Sequence, residues 1–232
     1  VSDARANSRA GDAAPQSIWT RPVRGSRGPV PAYSRDAIAA AGIALADADG
    51  IAAVSMRAVA TALGTSAGSL YRYLSSRDDL LELMTDRAIG ELRPHPSGGD
   101  DWLAGILLLA RRQLALYGRH PWLLDLLPRT SAAGPESLAW FDTCLRILEP
   151  VDCATAAKFE AIAMTTGVVS LFARRRAGSS SFALTGVDLT AHPHLAAALR
   201  RPVGGPPRAD LFDRTLRILL TGLLADEGPD HA

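Results

Sequence analysis

Gly64 separates two helical stripes too short to stand alone, and that restricts what residues 55–77 can fold into. Met56, Val59, Ala60 and Leu63 recur at i, i+3, i+4 and i+7, one face of a helix. Ser55 is placed to cap that helix, its hydroxyl accepting from a free first-turn N–H. Gly64 stands where a left-handed C-cap is wanted, and it has no Cβ to clash there. Thr65 or Ser66 can cap a second helix carrying Ser69, Leu70, Tyr71, Arg72 and Tyr73. Leu70 and Leu74 would anchor its inner face, with Tyr71 and Arg72 pointing away. The spacing is that of a helix-turn-helix: the first helix braces and the second fits a DNA major groove. An ordinary helical hairpin with one exposed arginine has the same period.

The flanks extend the pattern. Ile38, Ala41, Leu45 and Ala48 describe a preceding amphipathic helix, opened by Ser34 and ended near Asp49-Gly50. Ser76-Arg77-Asp78-Asp79 has the form of a capping box, with Asp in place of the usual Glu. Leu81, Met84 and Ala88 continue on one face toward Leu92. Three helices around one core, followed by a connecting helix, make a compact domain over residues 34–92.

Residues 34–92 resemble the DNA-binding domain of the TetR family of transcriptional regulators. Ser34-Arg35-Asp36-Ala37-Ile38, Leu45-Ala46-Asp47, Gly50 and Ser55 to Ala60 carry the likeness, as do Leu63-Gly64, Ser69 to Leu74 and Asp79-Leu80-Leu81. The Leu70-Tyr71-x-Tyr73 core is the most specific part. Phe212, Leu216, Leu219, Leu220, Gly222 and Leu223 resemble the last helix of the tetracycline-repressor type of C-terminal domain. The resemblance implies a homodimer joined through the long helix and the last helix. Two-fold symmetry then implies a pseudo-palindromic operator in double-stranded DNA. The expected DNA contacts are Ser69, Tyr71, Arg72 and Tyr73, with Arg57 and Arg77 at the flanks. Thr65, Ser66, Ala67 and Gly68 would bring the helix N-terminus to a phosphate. Ala67 and Gly68 lack hydrogen-bonding side chains, so base reading falls on Ser69 and Arg72. The implied function is ligand-responsive repression, with no catalysis and no cofactor.

Composition bounds this reading. The 232 residues are 47% hydrophobic, enough for a real core. No apolar run reaches the roughly 18 residues needed to span a bilayer, and no apolar leader region opens the chain. The expected compartment is therefore the cytoplasm, with no membrane partner. Cys144 and Cys153 stand outside any metal spacing and fit buried thiols in a reducing compartment. Net charge is only +1, so attraction to DNA has to be local. Arg21, Arg24, Arg27 and Arg35 precede the first acid of their stretch, Asp36, and Lys158 is the only lysine. Residues 1–33, broken by prolines and glycines, suit a disordered basic arm, either solvated or, over Arg21 to Arg27, laid along DNA. Ile18-Trp19 is an odd pair for such a tail.

Residues 93–232 suggest a helical effector-binding and dimerisation domain, making the chain all-α. Asp100 is placed to cap a helix bearing Leu103, Leu107, Ala110, Leu114 and Tyr117; His120-Pro121-Trp122 restarts a short one. Leu138, Phe141, Leu145 and Leu148 make a stripe. A long helix, rich in Ala, is expected from Asp152 to about Arg176 and a last one from Ala209 to Ala225. Loops are expected over Pro128 to Gly134, Gly178 to Ser181 and Pro202 to Pro207, and His192 and His194 look like loop residues. The implied pocket for an unknown small-molecule effector has Trp102, Leu103, His120, Trp122, Trp140, Phe141, Phe159, Met164 and Phe172 as candidate lining, each of which also fits plain core. Tetracycline repressors place a drug-contacting histidine just past helix four. The matching position here is Arg93, with His95 two further on, so the resemblance stops short of tetracycline–magnesium recognition. The competing classes are a helical ligand-binding protein without DNA function and a small helical enzyme. His120 near Asp125 is the only hint of the latter and lacks a third member. No metal set is apparent.

Overall fold

A computed structural model of the chain describes residues 18–20, 33–96, 101–126, 133–176, 188–200 and 209–225. The described residues form ten α-helices and one short 3-10 turn, with no strand. The expected loops at 178–181 and 202–207, and Arg21, Arg24 and Arg27, lie outside the described residues. The chain divides into two compact units: residues 1–87 with 130–134, and residues 88–129 with 135–232.

The first unit holds α1 (Arg35–Asp49), the 3-10 turn Ile51–Ala53, α2 (Met56–Ala62), α3 (Ala67–Leu70) and most of α4 (Arg77–Gly90). Ser34 and Ser55 cap α1 and α2, accepting from Ala37 N at 3.0 Å and Ala58 N at 3.1 Å. Ser76 accepts from Asp79 N at 3.1 Å, but Asp79 reaches back one residue further than expected, to Ser75 N at 2.6 Å. Ile38, Val59, Leu70, Leu80 and Met84 are wholly buried and form the core. Burial of such side chains stabilises by roughly 1.5–3 kcal/mol each. An Arg87–Asp36 ion pair ties α4 to α1.

Two features depart from the sequence-based expectation. Ile18 is not part of a loose tail: it is fully buried, and its carbonyl accepts from Arg35 at 3.2 Å. Trp19, half-buried, packs beside Gly134, where any Cβ would collide with it and with Asp86. The second is α3, which stops at Leu70 instead of running to Leu74. Residues 71–73 form a tight turn in which Arg72 N and Tyr73 N bond back three residues, to Ser69 O and Leu70 O.

The second unit contains the end of α4, then α5 (Trp102–Arg119), α6 (Leu123–Leu126), α7 (Pro135–Ile147), α8 (Thr155–Arg176), α9 (Pro193–Arg200) and α10 (Leu211–Leu223). Helices α5, α8 and α10 pack mutually, and α7 packs on α5 and α8. Asp101, not Asp100, caps α5, accepting from Ala104 N at 2.8 Å. Helix α7 turns Trp140, Thr143, Cys144 and Ile147 inward. The expected stripe is therefore half out of phase: Leu138 and Phe141 are exposed and Leu148 is buried. His194 lies in a helix that the sequence pattern did not suggest, α9, with Pro193 at its first position, where proline's missing N–H costs nothing. By length and composition α8 could cross a membrane, a feature hidden from a search for unbroken apolar runs by Lys158 and Glu160. Only 28% of its most apolar stretch is buried.

Two glycines mark opposite packing regimes. A Cβ on Gly42 would lie 2.6 Å from Met84 Sδ, and Met84 has no exposed surface into which to retreat. Nothing lies within 4 Å of one on Gly118. Gly42→Ala is expected to lower stability by about 1–3 kcal/mol through overpacking. Gly118→Ala should raise it by roughly 0.5–1 kcal/mol, since Ala loses less freedom in a helix; urea denaturation measures both. The second expectation concerns pH. Arg111 grips Asp213 through two hydrogen bonds between α5 and α10. That bond holds the Asp213 carboxyl below its ordinary 3.8, against the opposing effect of burial. A depressed carboxyl stabilises the fold above its unfolded-state pKa and loses that contribution as pH falls through the folded one. The melting-temperature gap between the parent chain and Asp213→Asn should be constant above about pH 5 and close below pH 4.

Candidate DNA-reading surface and effector cavity

The turn between α2 and α3 is set by main-chain geometry. Gly64 has φ +65°, a region L side chains rarely occupy. Gly64 N donates to Thr61 O at 3.0 Å and Thr65 N to Ala60 O at 2.9 Å, the paired bonds of a Schellman cap. Ser66 then caps α3, accepting from Ser69 N at 3.3 Å, and its hydroxyl meets that of Ser69 at 3.0 Å.

The ten residues expected at DNA fall into two groups. Arg57 and Arg72 are exposed, as are Gly68 and Tyr71, the last at 53%. The Arg72 guanidinium makes no hydrogen bond or ion pair among the described residues. Thr65 and Ala67 are half-buried beside exposed Ser66. The remaining three are engaged by the fold. Ser69 meets the capping serine. Tyr73 accepts at its hydroxyl from Tyr33 N at 3.4 Å, while the Tyr33 hydroxyl donates to Leu63 O at 2.9 Å. Arg77 donates from Nε to Val54 O at 2.9 Å and from a terminal nitrogen to Ile51 O at 3.1 Å. Its fork closes the carbonyl end of the segment before α2. Tyr33 was not foreseen as part of this surface; an isolated aromatic after two prolines carries no periodic signal.

In the second unit α5, α7, α8 and α10 line a narrow cavity of about 10 Å³, room for a single water. Ile106, Leu109, Ala110 and Gln113 face it from α5, at i, i+3, i+4 and i+7. Trp140 and Cys144 face it from α7, followed by Leu148; Ala161, Ile162, Thr165 and Thr166 do so from α8, and Leu220 from α10. Burial pushes the Cys144 thiol up to about 12, which leaves it neutral.

Of the nine residues named from sequence as candidate lining, Trp140 stands on this wall. Trp102 and Leu103 are half-buried at the start of α5. His120 is buried against Glu91, Nε2 to Oε1 3.1 Å, with its ring tilted against Trp122. Phe172 meets the edge of Phe212 at 5.2 Å. Phe141, Phe159 and Met164 lie on outward faces, 41%, 49% and 51% exposed. The cavity follows the inward phase of α7, which aromatic content alone does not reveal. The missed signal was Gln113, one polar residue interrupting an apolar stripe.

His95 adjoins that wall, its ring edge-on to Trp140 at 6.0 Å. Thr143 gives its single hydroxyl proton to Ala139 O at 2.8 Å, so at 2.7 Å it accepts from His95 Nδ1–H. His95 Nε2 is then the unprotonated nitrogen, and it is buried without a partner. Burial, then nearby Arg93, pushes this imidazole below its ordinary value.

Residues 38–84 match the family model described as bacterial regulatory proteins of the tetR family. Residues 94–227 match that of the tetracyclin repressor-like C-terminal domain. An HTH-type transcriptional repressor of Streptomyces coeruleorubidus, DrrR1, is 37% identical over 66% of the chain. An HTH-type transcriptional regulator of Saccharopolyspora erythraea is 34% identical over 59%. The matched part spans 57% of the length of each relative. Among solved structures, apo ActR of Streptomyces coelicolor superposes with a TM-score of 0.70 at 23% identity, covering 85% of this chain and 97% of that one. ActR in complex with actinorhodin gives 0.71 at 22% identity, covering 84% and 99%. These two likenesses concern the fold. The relatives are regulators of transcription and not enzymes, and with the second family model alone covering more than half of its residues, this chain belongs to the TetR family.

Proposed function

We propose that the chain works as a homodimeric repressor that grips a pseudo-palindromic operator and releases it when a small molecule enters the cavity. The observation that carries the first part is the uncommitted guanidinium of Arg72, beside exposed Tyr71, on a turn whose surroundings are satisfied internally. A guanidinium free of protein partners can take guanine O6 and N7 in a bidentate way or a phosphate. Tyr73 and Arg77 hold the frame on which Arg72 sits. Arg77 then acts on operator binding indirectly, while Tyr73 keeps its own hydroxyl proton for a phosphate.

Dimerisation is supported by the outward faces of α8 and α10. Phe159, Met164 and Leu171 on α8 and Ile218 and Leu223 on α10 are exposed, between 37% and 62%. Exposed Ala163 and Gly167 lie among them on α8. Small residues let helices approach closely, and apolar surface on two mutually packed helices suits a four-helix bundle with a second copy. Ligand response is supported by the cavity and by the related ActR fold having been solved with actinorhodin. A drug-sized molecule has to widen so narrow a space. It would thereby favour whichever conformers hold the packed helices apart, and it can weaken operator binding only by its differential affinity for the two states.

Arg72→Ala should leave the melting temperature unchanged while weakening operator binding by about 1–3 kcal/mol and relaxing base preference at one position of each half-site. Arg77→Ala should instead destabilise the fold by about 1–3 kcal/mol, because two carbonyls lose their donors. Thermal melts with binding-site selection separate the two, and an unchanged selected motif for Arg72→Ala would sink the assignment. For assembly, Leu171→Asp with Ile218→Asp is expected to convert a dimer to a monomer in sedimentation velocity and to abolish operator binding at concentrations that saturate the parent chain. A doubly substituted chain that stays dimeric would place the interface elsewhere.

A further inference from the structure

One polar side chain of the cavity wall is already held by a neighbour: Gln113 Nε2 donates to the buried phenol of Tyr117 at 2.8 Å. Gln113 is 7% exposed, and its remaining atom, Oε1, has no hydrogen-bond partner among the described residues and is not sealed off. Thr165, also 7% exposed, donates its proton to Ala161 O at 2.7 Å and keeps only lone pairs. The cavity therefore offers acceptors at Gln113 and Thr165, beside the donor groups of Thr166 and Trp140, in a largely apolar wall on which no residue carries a charge.

From this we infer that Gln113 is the specificity-determining residue of the effector site, and that the effector is an uncharged, mainly apolar molecule carrying a hydroxyl donor that Gln113 Oε1 accepts. The inference rests on the cavity being the effector site. A charged ligand would be buried with no counter-charge on the wall, which is strongly unfavourable. A ligand with no donor would leave Oε1 desolvated and unpaired.

Calorimetric titration of the full chain with three probes of one shape tests this: 1-naphthol, 1-methylnaphthalene and the 1-naphthoate anion. Naphthol should bind at least about tenfold tighter than its methyl isostere, the worth of one buried hydrogen bond. Naphthoate should be weaker again by about a hundredfold or show no saturation. Gln113→Leu should bring naphthol and methylnaphthalene within about threefold of each other, and Gln113→Met, closer in length, should do the same. Operator affinity without probe is the control that both variants are folded. Equal binding of naphthol and its isostere by the parent chain, a preference that survives both substitutions, or tightest binding of the anion would each overturn the inference. A preference that follows Gln113 while operator affinity ignores bound naphthol would uphold it and overturn the ligand-responsive reading of the cavity instead.

Discussion

Short helices leave more main-chain groups unpaired at their ends than they pair in their middles. A chain whose reading head is built from helices of seven and four residues lives under that constraint. The donor ends are met by short side chains: Ser34, Ser55, Ser66, Ser76 and Asp101 each accept from a first-turn N–H. The acceptor ends of α1 and α2 are met by Gly50 and Gly64, and carbonyls of the connecting segments mostly by arginine. Arg35, Arg77, Arg112, Arg146 and Arg174 all donate to main-chain carbonyls, of Ile18, of Ile51 and Val54, and of Pro94, Pro96 and Leu124. A guanidinium suits this task because its planar fork keeps charge while reaching two acceptors, and its stem lies on apolar surface. The arginine-rich, lysine-poor composition therefore has a structural side as well as an electrostatic one. An arginine of the helix-turn-helix can serve the fold, as Arg77 does, while the Arg72 guanidinium makes no hydrogen bond or ion pair among the described residues.

How much was legible in the sequence follows from the range of each interaction. The serine caps, the left-handed Gly64 and the inner faces of α1, α2 and α4 are local, set by residues within a turn of each other, and the sequence pattern located them. The end of α3 was not legible. Its termination depends on Tyr73 being pinned by Tyr33, forty residues away, and on Leu74 entering the core. The phase of α7 was misjudged for a similar reason. Leu138, Phe141 and Leu145 form as regular a stripe as Trp140, Cys144 and Ile147, and only packing on α5 and α8 chooses between them. Helix α9 escaped because its residues are short and alanine-rich, with a proline that reads as a breaker until it is placed at the first turn.

The two candidate sites differ in kind. The reading surface is assembled from exposed groups whose scaffold is closed, so its chemistry can be read residue by residue. The cavity wall derives its character from what buried groups have already spent. Gln113 matters because its amide nitrogen is spent on the Tyr117 phenol, which burial pushes up to about 12. A neutral wall with few polar groups selects by penalising what does not fit.

The burial of Ile18 changes where the first domain begins. Homology to the helix-turn-helix family starts at residue 38, and the first helix starts at Arg35. A fragment cut to either boundary would lose a wholly buried side chain and the carbonyl that Arg35 holds, and would expose apolar surface on α1. Ile18 and Tyr33 each hold a place in the first domain, so its stability depends on residues upstream of the homologous region.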